Sequence, residues 1–174
     1  MGRVSQLRIG SGSSGRAAVA AMLAVFIAWS FSAGIIGGYL NRNSDPTWYD
    51  GLAKPAFNPP GWVFGPVWSV LYLLMGVSAW LVWCRKGAGL ELLLFAIQWS
   101  LNALWTVLFF TMQSPSLAFA EIIVLWVSAT ATALAFWRAN RLAGYLFVPY
   151  ILWLTFAAVL NGSIWWLNLP AGAS

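Results

Sequence analysis

Five long apolar stretches with almost no charge decide what this chain of 174 residues can fold into. A helix needs about 20 mostly apolar residues to cross the hydrocarbon core of a bilayer. Strands of a membrane barrel instead alternate polar and apolar residues over about 10 positions. Because backbone polar groups inside lipid must pair within their own segment, the sequence predicts an all-α integral membrane protein, a bundle of five transmembrane helices. The predicted spans are Ala17–Leu40, Val63–Cys84, Leu90–Met112, Leu117–Trp137 and Leu142–Leu169.

The composition supports this fold class and excludes several kinds of function. Apolar residues make up 61% of the chain and charged residues 7%, whereas a soluble domain carries about 25% charged residues. The chain has no histidine and a single cysteine, Cys84, which removes the commonest metal ligands and general bases. We therefore expect no metal site, no resident cofactor and no conventional catalytic group. The basic residues are scattered, so we expect no nucleic-acid partner.

The connections between the spans are short, with one exception. The first loop, Asn41–Trp62, contains four prolines and is long for so small a bundle. Loops of this kind more often serve as a lid or a binding element than as a tether. The chain otherwise reads as one membrane domain, residues 17–169, between a flexible Gly/Ser-rich tail at residues 1–16 and a short tail at residues 170–174.

The distribution of basic residues predicts the orientation in the membrane. Seven lie on one side of the predicted bundle, namely Arg3, Arg8, Arg16, Arg85, Lys86, Arg138 and Arg141. The opposite side, which includes the long loop, carries two, Arg42 and Lys54. Positive residues favour the cytoplasmic side of an inner membrane, so the bias predicts a cytoplasmic N-terminus if the protein lies in that membrane.

Amides and tryptophans at helical spacing indicate an interior site. Amides inside hydrocarbon are costly unless they are paired, so Gln98, Asn102 and Asn161 should face the bundle interior. Aromatic residues that share the inward faces are Trp68, Trp105 and Trp153. Rise per residue places five inward positions on the side of the bundle that carries the long loop, namely Trp68, Asn102, Trp105, Ala157 and Asn161. They predict an apolar, aromatic pocket capped by that loop, which is typical of a small-molecule site. A polar network that only holds the helices together explains the same pattern equally well.

Two further features of the spans allow two interpretations each. Gly34 and Gly38 form a GxxxG motif in the first span, which fits either a homodimer face or close packing within one chain. Glu91 and Glu121 are the acidic residues near the membrane, and both lie close to predicted helix N-termini. The helix dipole suffices to explain both acids, although a proton-relay role is an alternative.

The loop and three of the spans contain distinctive motifs. The loop reads Trp48-Tyr49-Asp50-x-Leu52-x-Lys54-Pro55-x-Phe57-x-Pro59-Pro60, and the second span continues with Val67-Trp68-x-x-Leu71-Tyr72. The third span has Gln98-x-x-x-Asn102-x-x-Trp105, and the fifth has Pro149-Tyr150-x-x-Trp153-x-x-Phe156-Ala157-x-x-Leu160-Asn161. These motifs resemble those of the TspO/MBR family, the tryptophan-rich sensory proteins related to the mitochondrial translocator protein. The resemblance covers about Ala17 to Asn168.

The resemblance implies a five-helix bundle, commonly a homodimer, that binds tetrapyrroles such as protoporphyrin IX in a pocket beneath the first loop. The ligand contacts of the family correspond here to Tyr49, Trp68, Asn102, Trp153, Ala157 and Asn161, to which the helical spacing adds Trp105. Sterol binding is a weaker expectation, because the late fifth span lacks the tyrosine followed by a basic residue of the animal proteins. The bacterial membership of the family makes a bacterial cell envelope the expected location.

Three functions remain open from the sequence. The first is a membrane receptor or sensor that binds porphyrins and regulates tetrapyrrole-linked or stress responses. The second is a transporter that moves a porphyrin or lipid across the membrane. The third is light-dependent porphyrin breakdown, which the resemblance associates with tryptophans at the positions of Trp68 and Trp153. The last would be photochemistry at a binding site, so whether the protein is an enzyme stays uncertain.

Overall fold

The computed structural model describes residues 13–42 and 44–169, and within these ranges its regular structure is helical. Five of the helices are long and apolar enough to cross a membrane, which agrees with the predicted bundle. The helices are α1 (Ser13–Leu40), α2 (Pro46–Gly51), α3 (Phe64–Lys86), α4 (Leu90–Thr106), α5 (Pro115–Ala139) and α6 (Arg141–Leu167). A π-helical turn, Val107–Thr111, extends α4, and a 3₁₀ turn, Gly61–Val63, precedes α3.

The predicted spans match the long helices to within a few residues. The largest difference is at the start of the chain, where α1 begins at Ser13, four residues before the predicted span. Residues 1–12 and 170–174, which hold most of the two predicted tails, lie outside the described residues.

The five spanning helices form a closed ring in the order α1, α3, α6, α5, α4. Successive spans run in opposite directions, and a ring with an odd number of members must contain one parallel pair. That pair is α1 and α4: Trp99 of α4 bonds to the backbone at Trp29, and Thr106 of α4 lies beside Gly37. The helices enclose a main core, which runs from Phe95, Phe136 and Phe147 at one end to Tyr72 and Tyr150 near the middle. A second, smaller cluster of buried residues contains Phe109 and Leu160.

Close backbone approach holds α1 against α3. A Cβ atom at Gly76 would lie 2.7 Å from the Cα atom of Ile27, so glycine is required there for the two helices to touch. A Cβ at Gly34 would lie 2.9 Å from the ring of Tyr72, whereas one at Gly38 would meet nothing within 4 Å. Of the two glycines predicted for a dimer face, both are exposed, but Gly34 lies against Tyr72 of the same chain whereas Gly38 has open space beside it.

Several tryptophans fasten neighbouring helices through their indole N–H groups. Trp80 donates to the carbonyl oxygen of Val19 at 3.2 Å, and Trp126 donates to the hydroxyl of Thr155 at 2.9 Å. Trp99 makes the bond to α1 described above, at 2.8 Å. A large apolar ring with one hydrogen-bond donor suits such contacts, because the donor finds a partner while the ring fills space. Much of the tryptophan content therefore serves helix packing.

The first loop includes a short helix that the sequence analysis did not predict. It contains α2, whose N-terminus is capped by Asp45: the carboxylate accepts a hydrogen bond from the Thr47 N–H at 2.8 Å. An aspartate cap followed by Pro46 at the first helical position is a usual start signal, which the sequence analysis missed. The Thr47 hydroxyl also donates to this carboxylate, and these hydrogen bonds hold the pKa of Asp45 below its usual value.

Candidate functional site

The first loop presses aromatic side chains onto the end of the bundle. Trp48 and Tyr49 of α2 both pack against Phe109, with ring centroids 5.6 and 6.2 Å away, and Tyr49 also meets Phe110 at 5.8 Å. Both phenylalanines belong to the π-helical turn that extends α4. Such turns are rare and recur at functional sites. The loop and this turn together form the roof of the candidate site.

Tyr49 is half-buried beneath the loop that carries it. Its hydroxyl donates to the side-chain oxygen of Asn58 at 3.2 Å, and the ammonium group of Lys54 lies 4.6 Å from its ring centroid. Burial raises the pKa of Tyr49, since loss of water disfavours the phenolate, and the nearby negative charge of Asp50 acts in the same direction. The hydroxyl therefore stays a hydrogen-bond donor at neutral pH.

A single amide fastens the loop to the end of α6. The side-chain oxygen of Asn168 accepts a hydrogen bond from the Ala53 N–H at 3.0 Å, and its nitrogen donates to the Ala53 carbonyl at 2.9 Å. The same nitrogen donates to the Ile164 carbonyl at 2.7 Å, which fixes the side chain on its own helix. We call this pairing of Asn168 with Ala53 the latch. It joins residues 115 positions apart, so neither residue alone signals it.

A network of hydrogen bonds lies deeper in the site and contains two of the predicted residues. Asn102 is buried; its side-chain oxygen accepts from the Tyr72 hydroxyl at 2.9 Å, and its nitrogen donates to the Tyr150 hydroxyl at 3.3 Å. Trp68 stacks on Tyr72 with centroids 5.3 Å apart and meets Tyr150 edge-on at 6.2 Å. The network connects α3, α4 and α6 at one level of the bundle.

A second polar pair lies between this network and the roof. The indole N–H of Trp105 donates to the side-chain oxygen of Asn161 at 3.0 Å, and the Asn161 nitrogen donates to the Pro115 carbonyl at 2.8 Å. The ring of Trp105 stacks on Phe109, with centroids 5.0 Å apart. The pair thus joins α4, α5 and α6 directly beneath the π-helical turn.

The remaining predicted residues complete the wall on α6. Trp153 lies between Phe64 of α3 and Phe156, at centroid distances of 5.9 and 5.3 Å. Ala157 follows one turn later and is half-buried. Phe57 of the loop reaches Phe156 at 6.3 Å, which connects this wall to the roof.

The seven predicted site residues therefore gather in the half of the bundle beneath the first loop, and the amides face inward as predicted. The sequence analysis did not assign roles to Tyr72, Tyr150, Phe109, Phe156 or Asn168, although several of them stood in the motifs. A buried amide such as Asn102 needs hydrogen-bond partners. Tyr150 could have been predicted as one of them, because it lies on the same helix face as Trp153.

Two open clefts lie on the outer end of α5 and α6. One, of about 710 Å³, runs along the apolar surface between Phe119, Ala158 and Trp165. The other, of about 460 Å³, lies between Trp48, Gln113 and Trp165. None of the seven predicted residues lines either cleft, so the two clefts are separate from the candidate site.

Comparison with known proteins identifies the family. The model of the TspO/MBR family matches residues 21–167, which include most of each of the five spans and all seven predicted site residues. The chain belongs to the TspO/MBR family. The resemblance seen in the sequence is thereby confirmed, together with the five-span bundle as its fold.

Several TspO/MBR relatives align over most of the chain. It is 38% identical to "Tryptophan-rich protein TspO" of Chlorobaculum tepidum over 84% of this chain and 95% of that protein. It is 44% identical to "Tryptophan-rich sensory protein" of Cereibacter sphaeroides over 70% of this chain and 77% of that protein. It is 38% identical to the human "Translocator protein" over 68% of this chain and 73% of that protein. The TspO/MBR chain is accordingly a multi-pass integral membrane protein.

Proposed function

We propose that this TspO/MBR protein is a membrane receptor that binds porphyrin-type tetrapyrroles among the aromatic side chains beneath its first loop. The observation that carries the proposal is the gathering of Trp68, Trp105 and Trp153 with two buried amides under a latched loop. Aromatic walls with a few placed polar groups are the usual composition of a small-molecule site. The name of one relative, "Tryptophan-rich sensory protein", supports a sensory role.

The chemistry of the site suits a porphyrin in particular. The flat faces of a porphyrin stack on aromatic rings, and its carboxylate groups need cations near the water interface. The loop carries two cations, Arg42, which lies 3.9 Å from the ring centroid of Tyr39, and Lys54, which lies over Tyr49. Of the two, Lys54 contacts a predicted site residue, so it is the cation that we expect to meet a carboxylate of the bound ring.

Titration with protoporphyrin IX tests the proposal. In detergent-purified protein, porphyrin should quench tryptophan fluorescence with a saturable curve. Replacing both Trp68 and Trp153 by alanine should weaken binding at least about tenfold, since each aromatic stack contributes about 0.5–1.5 kcal/mol beyond its buried area. The matched control is the double variant Trp137→Ala with Trp166→Ala, which removes two exposed indoles outside the site.

The titration has three distinguishable outcomes. Weaker binding in the site variant with unchanged affinity in the control supports the assigned site. Equal affinity in both double variants means that porphyrin binds elsewhere, and a linear, non-saturating curve with the unaltered protein removes porphyrin as the ligand.

We further propose that the protein lies in a bacterial cell envelope with its N-terminus in the cytoplasm, so that the loop faces outward. The single cysteine, Cys84, is exposed near the end of α3 opposite the loop. In intact cells a membrane-impermeant maleimide should leave Cys84 of the unaltered protein unlabelled. The same reagent should label the variant Asn58→Cys with Cys84→Ser, whose one cysteine lies in the first loop. The reverse labelling pattern would overturn the orientation.

We also propose a homodimer whose face includes Gly38. The substitution Gly38→Leu separates this role from packing within the chain, because a side chain at Gly38 meets nothing within 4 Å. We expect the variant to run as a monomer in detergent by light scattering while keeping its thermal midpoint. A dimer that persists in Gly38→Leu would place the interface on another face.

A further inference from the structure

Glu121 is a buried acidic residue, and the proposed porphyrin binding assigns no role to it. It lies in the membrane-spanning helix α5 and exposes 8% of its surface. Neither of its carboxyl oxygens has a hydrogen-bond partner. The other acidic residue of a spanning helix, Glu91, forms an ion pair with Lys86 at the end of the bundle. Glu91 therefore has a partner for its charge, whereas Glu121 has none among the described residues.

The helix dipole does not account for Glu121, contrary to the sequence analysis. The dipole acts mainly within the first turn of a helix, and Glu121 follows the first residue of α5, Pro115, by about 9 Å along the axis. A buried polar group without a partner destabilises a protein by about 1–3 kcal/mol, and an unpaired buried charge by more. An ionisable residue kept at membrane depth at such a cost indicates a role in function.

The contacts of α5 locate Glu121 at the level of the candidate site. Phe119 packs beside Gly162 of α6, and Trp126 bonds to Thr155, so Glu121 lies opposite the segment that carries Ala157. One turn before Glu121, Ala118 packs in the cluster that contains Phe109 and Leu160, and Trp105 and Phe156 surround this cluster. The carboxyl group is therefore buried at the level of this aromatic cluster.

A buried carboxyl group at the level of aromatic rings is the chemistry that recognises an ammonium group. Paired with an ammonium group, it supplies the opposite charge as the carboxylate and accepts N–H donors, while ring faces attract a cation. The basic residues of the described spans lie at helix ends and in loops, and none of them forms an ion pair with Glu121. We propose that Glu121 binds the ammonium group of an apolar amine, as a second ligand class for this protein. The proposal goes beyond porphyrin binding and does not require it.

A matched pair of small probes tests the proposal. 2-Naphthylmethylamine and 2-naphthylmethanol share one aromatic ring system and differ in the ammonium group. Calorimetric titration of the full chain in detergent at neutral pH should show the amine binding at least about tenfold more tightly than the alcohol. The substitution Glu121→Gln should remove this preference, and Glu121→Asp, which keeps the charge, should retain part of it.

The control variant is Thr132→Val, in the same helix. Thr132 is fully buried, but its hydroxyl donates to Ser128 of its own helix, so it cannot anchor a ligand at Glu121. We expect this variant to keep the preference for the amine. Equal affinity of the two probes for the unaltered protein, or a preference that survives Glu121→Gln, would overturn the role of Glu121. Saturable protoporphyrin IX binding without an amine preference would overturn this inference alone, whereas the converse result would overturn only the porphyrin proposal.

Discussion

Breaking the latch between Asn168 and Ala53 should open the first loop without unfolding the bundle. The substitution Asn168→Ala removes both hydrogen bonds to Ala53 and leaves the spanning helices intact. A neutral hydrogen bond contributes about 0.5–1.5 kcal/mol net, and the exposure of Asn168 favours the lower half of that range. Two bonds then stabilise the closed loop by about 1–2 kcal/mol, which corresponds to about a 5- to 30-fold change in the open fraction.

Hydrogen exchange of the peptide that contains α2 measures this change directly. If exchange proceeds through loop opening, its rate in Asn168→Ala should rise by the same factor of about 5 to 30. Porphyrin association and dissociation should both accelerate, because the loop gates both steps, while the affinity changes less than either rate.

The control for this experiment is Asn140→Ala at the opposite end of α6. Asn140 caps that helix by accepting a hydrogen bond from the Leu142 N–H at 3.0 Å, so its loss should destabilise the bundle without touching the loop. Loop exchange that is unchanged in Asn168→Ala would refute the latch. Equal acceleration in both variants would mean that the loop opens only with the whole bundle.

Three further predictions follow from single contacts and one from the proposed photochemistry. The substitution Glu121→Leu should raise the thermal midpoint by about 2–10 °C in a melting experiment, because it removes an unpaired buried polar group; a lower midpoint would contradict the assignment. Gly76→Val should prevent folding or lower the midpoint sharply in the same assay, since its side chain would collide with the backbone of α1. Because hydrogen bonds lower the pKa of Asp45, its cap should stabilise α2 above about pH 4 and be lost below it; hydrogen exchange against pH should show this step, and Asp45→Asn should abolish it. If the protein degrades porphyrin in light, bleaching of bound protoporphyrin IX should slow when Trp68 and Trp153 are both replaced by phenylalanine. Equal bleaching rates in the variant and the unaltered protein would mean that these tryptophans take no part in the breakdown.

The sequence predicts the bundle well because hydrophobic length is a local property. Each span could be read from its own residues, and the inward faces of Asn102 and Asn161 followed from the cost of an amide in lipid. The order of the helices around the ring could not be read this way. It depends on which surfaces fit, for example the approach of Gly76 to Ile27, and no pattern within one span reports its neighbour.

The candidate site could be predicted only in part, because much of it depends on contacts between helices. The tryptophans at helical spacing lie where expected, but spacing does not distinguish a pocket wall from a helix contact. Trp105 shows the difficulty, since its indole pairs with Asn161 and its ring stacks on Phe109. The latch depends on a contact between distant residues, and the position of Glu121 beyond the first turn depends on where α5 begins.

The latch bears on how a ligand would reach the site. If a tetrapyrrole enters between the first loop and the bundle, its entry and its exit both require the open loop, so the latch controls both rates. A ligand that stays bound after the loop closes keeps its affinity when the latch is weakened. A ligand that binds only while the loop is open gains affinity in proportion to the open fraction. Comparing the two rates with the affinity in Asn168→Ala therefore distinguishes a loop that closes over its ligand from a loop that the ligand holds open.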